Sequence, residues 1–223
     1  MLLGRMQAQV SMEAFEKFLA TYPTKKYAKG EVILHQDDEP TTAYVIKSGI
    51  VKVYDISAAG DERPIIFDQE REFFPIAWMF GIHDLSQFFY EAYTDAVVYK
   101  VPRDDITTYL KKHPASLYEV YVEFIKRYIE FQSRILSLEQ TKASDKVLFN
   151  LNFLTSRFGK KINETESDLN LPMTQKDLAN FAGLTRETTS IELKKLEKRG
   201  VIRKSKHRYV VYVKKLRSLV RGK

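Results

Sequence analysis

The stretch Thr174-Gln175-Lys176-Asp177-Leu178-Ala179-Asn180-Phe181-Ala182-Gly183-Leu184-Thr185-Arg186-Glu187-Thr188-Thr189-Ser190 runs cap, short helix, glycine, cap, second helix. Thr174 is a good N-cap, and Asp177 three residues on suits the positive end of the helix dipole. Leu178, Ala179, Phe181 and Ala182 form one inner side. Gly183 ends the first helix by supplying the left-handed conformation a sharp turn needs. Leu184 plugs the corner, and Thr185 caps the second helix, with Thr188 at its third position. A small residue at Ala179 lets two helices cross closely, and a glycine four residues later turns the chain, which is the physical recipe of a helix-turn-helix. The outward face of the second helix carries Arg186, Glu187 and Ser190. Arg pairs with guanine, Glu accepts from cytosine and Ser serves either role. Gln175 and Lys176, with Lys194 and Lys195 farther on, suit phosphate contacts that set register.

Downstream, Val201-Ile202-Arg203, a basic turn at Lys204-Ser205-Lys206-His207-Arg208, and Tyr209-Val210-Val211-Tyr212-Val213 read as a hairpin with a basic tip, a wing. Lys206 and Arg208 therefore join the candidate contacts, as do Thr185 and Thr189. Charge agrees. Residues 143–223 hold 19 Lys and Arg against 8 Asp and Glu, a balance of +11, whereas residues 1–142 stand at −4 within a chain of net +7. A compact basic segment is what a polyanion needs, because each Lys or Arg set against a phosphate releases condensed counterions. The other reading is a winged module used for protein contacts alone, which leaves the basic face without a role.

Upstream, residues 145–158 predict a helix with Val147, Leu148, Leu151 and Leu154 inside, followed by a polar loop over 159–171, and Thr141 to Asp145 predicts a hinge. Before that, Leu117, Tyr121, Phe124, Tyr128, Phe131, Ile135 and Leu138 are spaced 4, 3, 4, 3, 4, 3. This heptad seam predicts a long helix that either packs on its own domain or pairs with a second copy, and the 3.5-residue period favours the pair. From Lys26 to about Pro102, short runs such as Tyr44-Val45-Ile46, Ile50-Val51-Lys52-Val53-Tyr54 and Ala96-Val97-Val98-Tyr99 alternate with breaks at Ser48-Gly49 and Gly60-Asp61. Many short strands with regular turns predict a β-sandwich or barrel. Residues 11–22 predict a leading helix stopped before Pro23. No apolar run reaches the roughly 18 residues that span a bilayer. No cysteine occurs among the 223 residues, which excludes disulfides and cysteine-ligated zinc or iron–sulfur clusters. No phosphate-binding glycine loop, HExxH or GxSxG appears, and the four histidines are scattered. No catalytic residue, metal site or cofactor is expected.

Taken together, Lys29-Gly30-Glu31-Val32-Ile33, the run from Tyr44 to Tyr54, the heptad helix and Leu184-Thr185-Arg186-Glu187-Thr188-Thr189-Ser190 resemble the cyclic-AMP receptor protein/FNR (CRP/FNR) family of bacterial regulators over nearly the whole length. The resemblance implies an α+β chain: an N-terminal jelly-roll β-sandwich sensor over 1–113, a dimerisation helix over 114–142 and a winged helix-turn-helix DNA-binding domain over 143–223. It implies a homodimer that reads a pseudo-palindromic operator in double-stranded DNA and acts on RNA polymerase. A cytoplasmic location with no membrane role is expected from the lack of a signal-peptide pattern or spanning run, and no enzymatic activity from the lack of catalytic motifs. Carried over by position, Arg186, Glu187 and Ser190 read bases, and Thr174, Gln175 and Lys176 hold phosphates. Two departures bear on specificity. Phe73-Phe74-Pro75-Ile76-Ala77-Trp78 stands where cyclic-nucleotide binders of the family carry Gly-Glu-Leu, and Ser86-Gln87 falls where they carry Arg-Ser, so cyclic-AMP dependence is not expected. Ile191-Glu192 stands where the family usually has Arg and an apolar residue, so the base contacts differ. The aromatics around the first departure, Phe74, Trp78, Phe80, Phe89 and Tyr90 among them, read either as an apolar pocket for an unknown small-molecule effector or as core that fills the place of one. His83 and His35 are the only candidates for haem ligation there.

Overall fold

The computed structural model describes residues 13–205 and 208–222, in two compact units that divide after Ile125. The first unit opens, among the described residues, with α1 (residues 13–19), which ends three residues before the predicted stop at Tyr22. The strands β1 (Thr24–Tyr27), β2 (Val32–Leu34), β3 (Ala43–Ser48), β4 (Val51–Ile56), β5 (Glu62–Asp68) and β6 (Phe73–Phe74) follow. Then come α2 (Ile76–Met79), β7 (Phe89–Ala92), β8 (Ala96–Val101), α3 (Arg103–Lys112) and the long α4 (Pro114–Glu139). All strand pairs are antiparallel, in two four-stranded sheets ordered β1-β8-β3-β6 and β2-β7-β4-β5. This is the expected β-sandwich. Gly49, between β3 and β4, holds φ +93, and a Cβ there would lie 2.4 Å from the Asp95 carbonyl oxygen.

Side chains alternate along a strand, and this alternation splits the aromatic cluster. On β6, Phe73 faces a core shared with Phe15, Trp78, Met79, Ile106 and Val120. Phe74 faces the other way, stacked on Tyr44 of its own sheet at 5.1 Å and on Tyr90 of the second sheet at 4.5 Å. On β7, Phe89 points away from Tyr90 and stacks on Tyr54 at 5.1 Å, with His35 edge-on to it. Trp78 lies in the core with Phe73, and Phe80 meets Phe124 at 5.9 Å. Phe74, Trp78, Phe80, Phe89 and Tyr90 therefore do not line one pocket: they belong to three separate clusters, and Phe74 with Tyr90 fills the space between the sheets.

The α4 seam is likewise corrected by one position. Phe124 turns toward its own unit, 5.6 Å from the Phe73 ring, and is partly buried against the core beside β6. Phe131 is half-buried with the Arg127 guanidinium over its ring. Leu117, Tyr121, Tyr128, Ile135 and Leu138 are exposed as a pairing surface requires, Tyr128 by 61%. Beside them Tyr118 and Ile125 in the first unit, and Ile129 and Leu136 in the second, are exposed as well.

The second unit begins within α4. Only residues 140–142 separate α4 from α5 (Ala143–Phe158), so the expected hinge is shorter than Thr141 to Asp145. Val147, Leu148, Leu151 and Leu154 are buried on α5. Residues 159–171 are not a plain loop: β9 (Gly159–Lys161) and β10 (Glu166–Leu169) lie in them. After β10 come α6 (Gln175–Ala182), α7 (Arg186–Lys198), β11 (Ile202–Ser205), β12 (Arg208–Tyr212) and α8 (Val213–Arg221). The four strands form one sheet in the order β11-β12-β10-β9, with Ser167 opposite Val211 and Asp168 opposite Val210. Among the described residues no helix is long and apolar enough to cross a membrane.

Candidate nucleic-acid interface

Local chemistry sets the first helix of the motif. The Thr174 hydroxyl accepts from the Asp177 N–H at 3.1 Å, and the Asp177 carboxylate accepts from the Thr174 N–H at 2.8 Å, a reciprocal capping box. Gly183 closes the helix at φ 63, ψ 44, and the Leu184 N–H reaches back to the Ala179 carbonyl at 3.0 Å. Ala179 is buried, and the absence of a larger side chain there lets α6 and α7 pack closely. Thr185 caps α7 by accepting from the Thr188 N–H at 3.2 Å.

The 3.6-residue period then sorts the side chains of α7. Leu193, Leu196, Glu192 and Thr189 point inward, and Thr189 has no exposed surface at all. Thr189 is therefore withdrawn from the contact set: its hydroxyl faces the core and cannot reach DNA. Arg186, Glu187, Ile191, Lys194 and Lys198 are exposed, and Ser190 is half-exposed. The Lys195 ammonium bonds the Glu192 carboxylate at 2.7 Å, which draws it toward the helix flank.

One cleft of about 210 Å³ joins the elements. Thr174, Gln175, Lys176, Arg186, Lys204, Met173 and Tyr209 line it. The N-terminus of α6 opens there with three cations around it, and a helix N-terminus with its free N–H groups favours an anion. Gln175 hydrogen-bonds Tyr209, and burial pushes the Tyr209 phenol above its ordinary pKa, so it stays neutral and holds Gln175 in place. Lys204 in this cleft was legible only as part of the basic turn. Arg208 opens β12 at the tip end of the wing, exposed and paired with Asp168 at 3.3 Å. Lys206 lies outside the described residues.

A buried cation supports the motif from behind. Arg134, near the end of α4, is 4% exposed. It donates to Asn150 Oδ1 at 2.8 Å and to the Phe181 carbonyl of α6, with its guanidinium 3.6 Å over the Phe181 ring. Burial pushes its pKa down to about 10, still well above neutral, so the charge persists where carbonyl, amide and ring face it. Arg134 falls between the heptad positions Phe131 and Ile135, and sequence periodicity carries no signal of this role. Among the described residues no cluster of His, Cys, Asp and Glu could hold a metal ion.

Comparison with known proteins places both units. Residues 146–221 match the model of the Crp-like helix-turn-helix domain, and residues 24–113 match that of the cyclic nucleotide-binding domain. The chain is 28% identical over 190 residues to electron transport regulator A of Shewanella oneidensis, covering 85% of this chain and 74% of the relative. Among solved structures, FixK2 from Bradyrhizobium japonicum superposes with a TM-score of 0.71 at 22% identity, covering 89% of this chain and 96% of that one. A transcriptional regulator of the CRP/FNR family from Thermus thermophilus superposes with a TM-score of 0.66 at 22% identity, over 89% and 98%.

Proposed function

The chain belongs to the CRP/FNR family of DNA-binding transcription regulators, and from that premise we propose that it works as a homodimer presenting one α7 per protomer to the major groove of a pseudo-palindromic operator. The convergence of Thr174, Gln175, Lys176, Arg186 and Lys204 on the α6 N-terminus, beside the exposed strip of α7, carries this reading. In it, Thr174, Gln175, Lys176 and Lys204 hold one backbone phosphate and so set register, while Arg186, Glu187 and Ser190 address base edges. Thr185 orients the start of α7, and Lys194, Arg208 and Lys206 approach flanking phosphates. Two such helices about 34 Å apart meet successive turns of the duplex.

The exposed apolar face of α4 supports the dimer. On the first unit's part of α4, Leu117, Tyr118, Tyr121 and Ile125 are exposed apolar side chains within about two turns, and a second α4 would cover them. The division of labour we assign is a sensor-like sandwich over 1–113, the α4 region over 114–142 and the DNA-binding part over 143–223. The sandwich interior is taken up by Phe74, Tyr44 and Tyr90, and the buried Ser86 hydroxyl donates to the Phe88 carbonyl. Cyclic AMP is therefore expected to leave the melting temperature unchanged, and a ligand-dependent rise would overturn this part of the reading. Any effector would be apolar and would have to displace the stacked rings. The protein acts by contact, with DNA and with RNA polymerase in the cytoplasm, and not as an enzyme.

The test is selection from a random duplex pool with purified full-length protein and no added ligand. A two-fold symmetric enriched site whose affinity falls steeply with salt supports the reading. A protein that enriches nothing at low salt but captures other proteins through the basic face would establish the docking module instead.

A further inference from the structure

Among the described residues of α7, Ile191 is the only large apolar side chain left exposed, at 54%. Its position in the helix is not peripheral. Thr189, Glu192, Leu193 and Leu196 mark the inward side. At 100° per residue Ile191 lies near the middle of the opposite side, one turn beyond Glu187 and one turn before Lys194. Every other exposed or half-exposed side chain described on this strip is polar or charged: Arg186, Glu187, Ser190, Lys194 and Lys198.

Isoleucine has neither donor nor acceptor, so it cannot bond a phosphate or a polar base edge. Set against guanine O6 and N7, or the adenine N6 amine, it would strip water from those atoms and return nothing. The major groove offers one apolar group that avoids this penalty, the 5-methyl of thymine. Charged residues on both sides of Ile191 argue against an apolar protein partner, which would have to bury Glu187 and Lys194 as well. Resting on the DNA-reading function proposed above, we propose that Ile191 is a specificity-determining residue that selects thymine by its 5-methyl group at one base pair of each half-site.

The probe is the duplex enriched from the random pool, in which each thymine is replaced in turn by deoxyuridine. The full-length native chain should lose affinity at one symmetry-related pair of positions, by roughly fourfold per half-site, the ratio that accompanies burial of one methyl group. Ile191→Ala should bind the unmodified duplex more weakly and be indifferent to deoxyuridine at those positions. Because the side chain is exposed, the variant should melt at the native temperature, which separates lost reading from lost folding. If 5-methylcytosine at that position recovers affinity that cytosine loses, the methyl group itself is read. Native protein indifferent to every deoxyuridine, or an Ile191→Ala variant that keeps the native penalty, would overturn the proposal while leaving a DNA-binding regulator intact. A pool that enriches no duplex overturns the DNA-reading function and this inference with it.

Discussion

Gly183 and Gly49 both hold positive φ, at 63 and 93, yet a methyl group at each meets different surroundings. Nothing lies within 4 Å of a Cβ at Gly183, so Gly183→Ala should cost only the left-handed conformation, about 1–2 kcal/mol, read as a modest loss of stability in urea. At Gly49 the Cβ would lie 2.4 Å from the Asp95 carbonyl and 2.7 Å from the Ala96 Cα, both backbone atoms that cannot rotate away. Gly49→Ala should therefore lose far more, and a far-UV melt that shows equal effects for the two variants would refute the distinction. Both positions were legible from sequence because the evidence is local: a glycine after an apolar-faced helix, or after Ser48 between two strand patterns. The capping box was legible for the same reason, since Thr174 and Asp177 answer each other within one turn. Thr189 was legible too, four and seven residues before Leu193 and Leu196 on one helical face, but its adjacency to Thr188 and Ser190 masks that period.

For the elements, a limit appears in α4. A heptad seam marks which residues are apolar, and it does not say which of them a helix spends on its own domain. Phe124 found the Phe73 and Phe80 rings within its own unit, and Ile125 beside it stays open. Two substitutions separate the roles. Ile125→Glu should give a monomer by sedimentation without lowering the melting temperature of the first unit, because its side chain is exposed. Phe124→Ala should do the reverse, costing roughly 3–5 kcal/mol if the cavity fails to collapse, and less in proportion to its partial exposure. A dimer that survives Ile125→Glu would move the interface elsewhere. β9 and β10 were illegible for another reason. Lys160, Lys161, Glu166 and Asp168 give no apolar alternation; β9 pairs only with β10, and β10 is held in the sheet by β12, some forty residues later in the chain.

Across the whole molecule, charge is divided as sharply as fold, with +11 on residues 143–223 and −4 on residues 1–142. DNA affinity should thus depend steeply on salt. Lys204→Ala and Lys176→Ala should each flatten the logarithmic salt slope by about one and weaken all sequences alike, whereas Arg186→Ala should cost about 1–3 kcal/mol at one base pair per half-site. A Lys204→Ala slope equal to the native one would place that cation off the backbone. The division of the chain after Ile125 has a practical consequence for dissection. Residues 126–139 are the C-terminal half of α4, yet they fold with the DNA-binding half, and Arg134 there anchors the Phe181 carbonyl and ring of α6. A fragment beginning at residue 143, the natural place to cut between helices, would leave Asn150 and the Phe181 carbonyl without their guanidinium and the underside of the motif bare. A fragment beginning at residue 126 retains them. The shorter fragment should melt at lower temperature and exchange the α6 amides faster with deuterium, so the smallest transplantable reading head of this protein carries half of a helix that its sequence assigns to something else.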